Sequence, residues 1–215
     1  MKSSKQLFPI FTAIAMLVAV EAHAAKVDMK DPRRALGRED DIRVDAQLFQ
    51  EQVASNTPLN VTYQVQNLTN VPIAIADKVV GVSYDEDART ITMSIGAEIP
   101  EETMPHLVVI PPGTKKTLTA GGVFNVAVAN TRFAPVPQYV QVRVNVLRDL
   151  TAFRDLIVQS SQATAPVALP SALFDTWLDA SDTILCNAVP VRWSATPGKN
   201  SLPSAEQRMP AVGTW

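Results

Sequence analysis

Cysteine and histidine are scarce, and each scarcity excludes chemistry. Cys186 is the only cysteine among 215 residues, so no disulfide can close within one chain. A lone cysteine can be a reactive thiol or an intermolecular link. Cys186, between Leu185 and Val189, reads better as a small buried hydrophobe, because free cysteine is among the most buried residue types. Histidine occurs twice, at His23 and His106, and only His106 lies beyond the first 24 residues. That excludes a zinc site built from two or three histidines of the mature chain. Any Ser-His-Asp or Cys-His arrangement would have to use His106. No Gly-x-Ser-x-Gly elbow lies near it. Glycine is sparse too, with 8 residues, and neither a phosphate-binding loop nor a dinucleotide fingerprint occurs. No cofactor is expected.

Charge of either sign is not in excess. The whole chain carries a net charge of −2. Losing Lys2, Lys5 and Glu21 with the first 24 residues takes that to −3. So mild a balance predicts neither nucleic-acid binding nor an electrostatic membrane tether. The remaining chain is long enough to bury roughly 70% of its unfolded surface in one core.

The one long hydrophobic run is at the start. Lys2 and Lys5 precede Leu7–Val20, apolar apart from Thr12, and Ala22-His23-Ala24 supplies the small-x-small cleavage pattern. The run is about 14 residues, against the ~20 of a membrane-spanning helix. We therefore expect a signal peptide over 1–24, cut after Ala24, and a periplasmic or secreted product with no stable membrane insertion. No Arg pair marks the twin-arginine route, and no Cys follows the run as in a lipoprotein.

Residues 25–41 mix ten charged side chains with Pro32 and Gly37 and read as a charged, mobile leader. From Ile42 the apolar period is two. Ile42, Val44, Ala46 and Leu48 alternate with polar residues, as do Leu59, Val61, Tyr63 and Val65, and later Val140, Val142, Val144 and Val146. Val71–Ala76 and Leu107–Ile110 are further strand candidates. Lys116–Ala120 and Val123–Val128 form a pair around Gly121-Gly122. Val80–Tyr84 and Ile91–Ile95 flank Asp85–Arg89, a five-residue acidic turn of hairpin length. A calcium role for Asp85, Glu86 and Asp87 is disfavoured, because the rest of an ordered calcium loop is missing.

After Leu147 the period becomes helical, with Leu150, Phe153, Leu156 and Ile157, then Leu173, Phe174, Trp177 and Leu178. Ala188–Trp193 reads as a last strand, and 194–215, with Pro197, Pro203 and Pro210, as a disordered tail. Trp215 does not mark a membrane barrel's end, because Ala211 and Gly213 break the required alternation.

The expected fold is thus mainly β: an antiparallel immunoglobulin-like β-sandwich of seven to nine strands over 42–148, with a short C-terminal helical appendage. Two helices and the possible last strand, 149–193, pack on it. The patterns Leu59-x-Val61-x-Tyr63-x-Val65-x-Asn67 and Ile110-Pro-Pro-Gly113 before Thr117-Leu118 resemble immunoglobulin-like domains of bacterial envelope proteins. The resemblance covers Ile42–Leu147. It implies a two-sheet sandwich that must close by packing alone, since the cysteine pair is missing.

The functional expectation is a non-enzymatic binding or assembly module whose partner is another envelope protein. Such sandwiches bind through edge strands, end loops or a helical face. Candidate surfaces are Glu98–His106, Phe133–Pro137 and the face carrying Phe174 and Trp177. One alternative is a hydrolase using carboxylates or His106. Another is copper handling by Met104 and His106, a thioether and an imidazole suited to Cu(I), with Met93 or Met29 as a further ligand.

Overall fold

The computed structural model describes residues 31–97, 103–125, 135–163 and 167–194. The export signal, Met29, most of the Glu98–Pro105 and Phe133–Pro137 loops and the tail beyond Ser194 lie partly or wholly outside these residues.

The chain is mainly β, as its alternating apolar pattern predicts. The first sheet is antiparallel and begins with β1 (Arg34–Glu39) and β2 (Ile42–Leu48), paired from Arg34↔Gln47 to Glu39↔Ile42. Asp40 turns the hairpin at φ 45°, a left-handed conformation that Asp tolerates better than most residues. After a short strand β3 (Gln52–Val53), β4 (Thr57–Asn67) pairs with β2. Leu48, Ala46, Val44 and Ile42 all point inward and are buried.

β1 corrects the expectation of a mobile leader. Charge density hides a strand whose Ala35 is fully buried. Its entry is anchored by Asp31, which accepts hydrogen bonds from the Arg33 guanidinium (Nη2 at 2.5 Å) and from Gln47 Nε2 at 2.7 Å. The Arg33 bonds hold the Asp31 carboxyl well below the usual carboxylate range.

The second sheet is mixed. Its strands are β5 (Ile73–Ile75), β6 (Val80–Asp85), β7 (Thr90–Ile95), β8 (Val108–Ile110) and β10 (Tyr139–Leu147). β6 and β7 form the expected hairpin. β9 (Lys115–Phe124) belongs to the first sheet and pairs with β4 from Thr57↔Phe124 to Gln66↔Lys115. It runs unbroken through Gly121-Gly122 to Phe124, where two separate strands were expected. Gly122 is needed there, because a Cβ would stand 2.6 Å from Val82 Cγ2 across the core.

β10 is central. Tyr139, Val140, Arg143 and Val144 each pair on both sides. β7 therefore lies along one edge, with β11 (Ser181–Leu185) and β12 (Val189–Pro190) along the other. The β7–β10 pairing is parallel, which corrects the all-antiparallel expectation. Side-chain alternation marks which face is buried and carries no information on strand direction. β11 is a strand the sequence pattern did not announce. The expected last strand splits into β12 and β13 (Arg192–Trp193), the latter parallel to β3.

The two sheets share one core, from Ile42, Val61, Tyr63 and Val65 on one side to Ile91, Met93, Val142 and Val144 on the other. They also meet at a seam, where Gly37 bridges Cys186 and Asn187 N–H donates to Leu36 O at 2.9 Å. A second apolar cluster gathers Ala74, Ala76, Met104, Leu147, Leu150, Phe153, Leu169 and Trp177. It lies under a 3-10 turn (Thr151–Phe153), α1 (Arg154–Gln162) and α2 (Ser171–Asp179). Among the described residues no helix is long and apolar enough to cross a membrane.

Candidate ligand cleft

The connection from β4 to β5 begins at Asn67, a fully buried polar residue. Its Nδ2 donates to Val71 O at 2.8 Å and to Ile110 O at 3.0 Å, and its Oδ1 accepts from Thr69 N–H and Oγ1. Asn67 thereby ties the end of the first sheet to the terminal strand β8 of the second. The same bonds set the turn that presents Leu68 and Val71 to solvent, each about half exposed.

That turn borders two concavities. One, of about 720 Å³, runs over Arg38, Asp40 and Asp41 of the β1–β2 turn, then Leu68–Val71 and Arg148. The other, of about 590 Å³, lies between the Val71-Pro72 segment, Val109 of β8 and the start and outer side of α1. Arg148 and Val71 line both, so the two concavities adjoin at these residues. Volumes of this order match ordinary ligand sites. Arg148 follows the last residue of β10. It pairs with Asp40 at 3.3 Å and with Asp182, so its guanidinium stands between the β1–β2 turn and β11. Arg154, at the start of α1, is exposed. Asp149 accepts a hydrogen bond from the Thr151 N–H at 2.8 Å.

The residues singled out from sequence fall elsewhere. Trp177 is buried in the second apolar cluster, with its ring 5.4 Å from Phe153 in a T-shaped contact. Phe174 is half-buried beside it. The apolar face of α2 is thus turned inward, in keeping with helices that pack on the sandwich, because the outer surface of the second sheet is itself apolar and has to be covered. Trp177, a candidate for an exposed binding face, is therefore an interior residue.

Met104 and His106 are not brought together as a ligand pair. Met104 is buried in the same cluster, its N–H bonded to Val167 O. His106 is largely exposed, with Nδ1 2.8 Å from Oδ1 of the buried Asp77. Lys78 Nζ holds the other Asp77 oxygen at 3.1 Å. After burial itself, the Asp77 charge is the second cause that pushes the Tyr63 hydroxyl above its usual range. Asp77 and His106 form an oriented pair, but neither lines the cleft. Met93 sits in the main core. Among the described residues no three His, Cys, Asp or Glu side chains gather as metal ligands would.

Cys186 is buried at the seam, and burial first, then the Asp45 charge, pushes its thiol up to about 12. We expect it to resist alkylation in the native protein near neutral pH and to react at once in denaturant, read by mass spectrometry. The sign of the linked pH effect follows. A folded-state value above the unfolded ~8.5 makes the native protein hold the proton longer, so stability falls as pH rises from about 8.5 towards 12. Cys186→Ala removes that part of the slope in urea titrations. An unchanged slope would show that the thiol is not the group responsible.

No sequence motif announces the cleft. Its residues come from four stretches: 38–41, 68–73, 109 and 148–158. The available signals were Arg148-Asp149 directly after an apolar strand, and Val158, an aliphatic residue out of phase with the buried side of α1. The chain matches no protein-family model, no curated protein and no solved structure.

Proposed function

We propose that the chain is a non-enzymatic binding or assembly module of the exported compartment, an immunoglobulin-like sandwich that holds a partner protein in the cleft centred on Arg148. One observation carries this reading. Val71, Val109 and Val158 come from three different segments, are all substantially exposed, and line one concavity beside Arg148, with Leu68 in the adjoining one. Exposed aliphatic side chains scattered singly need no explanation, whereas their convergence on one concavity marks an interaction site.

The test is photo-crosslinking in the producing cell, with a reactive residue placed at Val158 or, as control, at Val123, an exposed valine of β9. A discrete adduct with another protein is expected from position 158 and none from 123. Adducts equal at both positions, or absent from 158 at native expression, would sink the reading. Sequencing the N-terminus of the same material checks export, with Ala25 expected first.

A second reading has the Asp77–His106 pair in its favour. A buried carboxylate on Nδ1 leaves Nε2 free for proton transfer, as a general base requires. It predicts a turnover that His106→Ala abolishes without altering the crosslink at 158.

A further inference from the structure

We propose that the open edge of β9 pairs with β9 of a second copy of this chain, antiparallel about a two-fold axis at Thr119, so that two first sheets join into one. The surface is separate from the cleft beside Arg148.

β9 is the terminal strand of its sheet, in the order β1-β2-β4-β9. Its 10 residues pair with β4 on one side, and among the described residues no strand pairs with the other. Asn67 N–H donates to Thr114 O at 2.9 Å, one step before the pair Gln66↔Lys115. Antiparallel ladders alternate. The main chain of Lys116, Leu118, Ala120 and Gly122 therefore bonds to β4, and that of Lys115, Thr117, Thr119, Gly121 and Val123 turns to the open edge. Proteins blunt such edges with charge, proline, a bulge, a very short strand or a cover. β8 is 3 residues long, and β1 is covered where Gly37 bridges Cys186. From Thr117 to Phe124, β9 has no charged residue and no proline, and its unbroken register with β4 leaves no bulge.

Charge and register select a second copy as the occupant. The open positions are symmetric about Thr119, so antiparallel pairing centred there matches every free main-chain group of both strands. A shifted register leaves some unmatched. The same centre separates the charges of the edge. Lys115 lies beside the partner's Val123 and Lys116 beside the partner's Gly122, whereas parallel pairing in register would set lysine against lysine. Thr119 meets its own copy, a favourable cross-strand pair. Leu118, half-buried at the rim of the core, gains the partner's Ala120 as cover. Val123, 55% exposed, gains the aliphatic stem of the partner's Lys115. One strand thus supplies both halves of the match, as an isologous contact requires. Growth of the joined sheet stops at two copies, because it ends in a covered β1 on each side.

Sedimentation equilibrium of the full mature chain over a concentration series is expected to show a monomer–dimer equilibrium. Thr119→Lys sets two ammonium groups face to face on the axis and is expected to weaken the dimer at least about tenfold at low salt. Thr119 is exposed and its N–H serves no bond to β4, so the variant keeps its fold, which a matching thermal melt verifies. Cysteine pairs under mild oxidation read the register, since opposed residues of a hydrogen-bonded pair lie about 5.5 Å apart at Cα, within disulfide reach. Thr119→Cys is expected to crosslink to itself. Lys115→Cys and Val123→Cys are expected to crosslink when mixed and not when alone. A chain that stays monomeric at its highest soluble concentration, a dimer indifferent to Thr119→Lys, or Lys115→Cys crosslinked to itself would each overturn the proposal and leave the binding reading standing.

Discussion

Replacing Trp177 by alanine is expected to lower the unfolding free energy by about 3–5 kcal/mol, the usual cost of truncating a buried aromatic residue. Trp177 is 3% exposed and is the single buried residue of α2. Its ring contacts Phe153 edge-on, and the two aromatics fill the space between the helices and the apolar outer side of β5 and β10. Truncation leaves a cavity in the cluster formed with Leu147, Leu150, Leu169 and Met104, which close over it only in part. The lost edge-to-face contact adds to the deficit. Urea titration followed by far-ultraviolet circular dichroism measures the change. Trp177→Phe, which keeps a ring in place, should recover more than half of it. If Trp177→Ala costs under about 1 kcal/mol while removing the crosslink at 158, α2 is a docking helix after all, and its assignment to the interior is wrong.

Asn67→Leu is the second large effect. The side chains are similar in size, so the change tests polarity rather than volume. It removes both amide donors and the acceptor, leaving the buried Ile110 O without its Asn67 partner and Val71 O with the Thr69 hydroxyl alone, and releasing the Thr69 turn. A buried group left unsatisfied costs about 1–3 kcal/mol, so with the released turn a total loss of about 2–3 kcal/mol is expected. Asn67→Asp should do no better, since it turns a donor facing two carbonyls into an acceptor. The same substitutions should weaken the crosslink at position 158 even where the protein remains folded, because Leu68 and Val71 are held beside Arg148 by this turn. Full stability in Asn67→Leu would show that water or another donor replaces the amide, and the structural role assigned to Asn67 would fall.

How far the architecture could be read from sequence depended on the kind of pattern involved. β2, β4 and the valine-rich stretch of β10 announce themselves, because a residue period of two places every second side chain in the core. The β6–β7 hairpin follows from two such runs joined by an acidic turn. Strand direction is absent from that signal, so the parallel union of β7 and β10 was not legible. β1 was masked by its exposed charges. β11 was masked because Ile184 is its only buried residue and Leu185 faces solvent. The site was harder still. Met104 and His106 are two positions apart, yet one is interior and the other exposed, a division set by the Met104–Val167 contact and by Asp77. Phe174 and Trp177 were recognised as an apolar helical face, but periodicity does not distinguish a face that packs inward from one that docks outward. The cleft is made by bringing four remote stretches together, and a linear motif cannot encode that.

The central place of β10 has a consequence for how the molecule is made. Whether at a ribosome or across a membrane, the chain is delivered from its N-terminus, and β1, β2, β4 and β9 are complete once Phe124 has emerged. The larger sheet is not. β5 and β7 lack the strand that joins them until Tyr139–Leu147 follows, and β11 and β12 come later still. Contacts so distant along the chain form slowly, because loop closure precedes any gain. Through that interval Ile73, Ile75, Ile91, Met93 and Ile95 have no sheet to complete their burial. A partly delivered chain therefore displays a sticky aliphatic surface while the strands of its first sheet are already complete, the kind of surface that a holding chaperone covers.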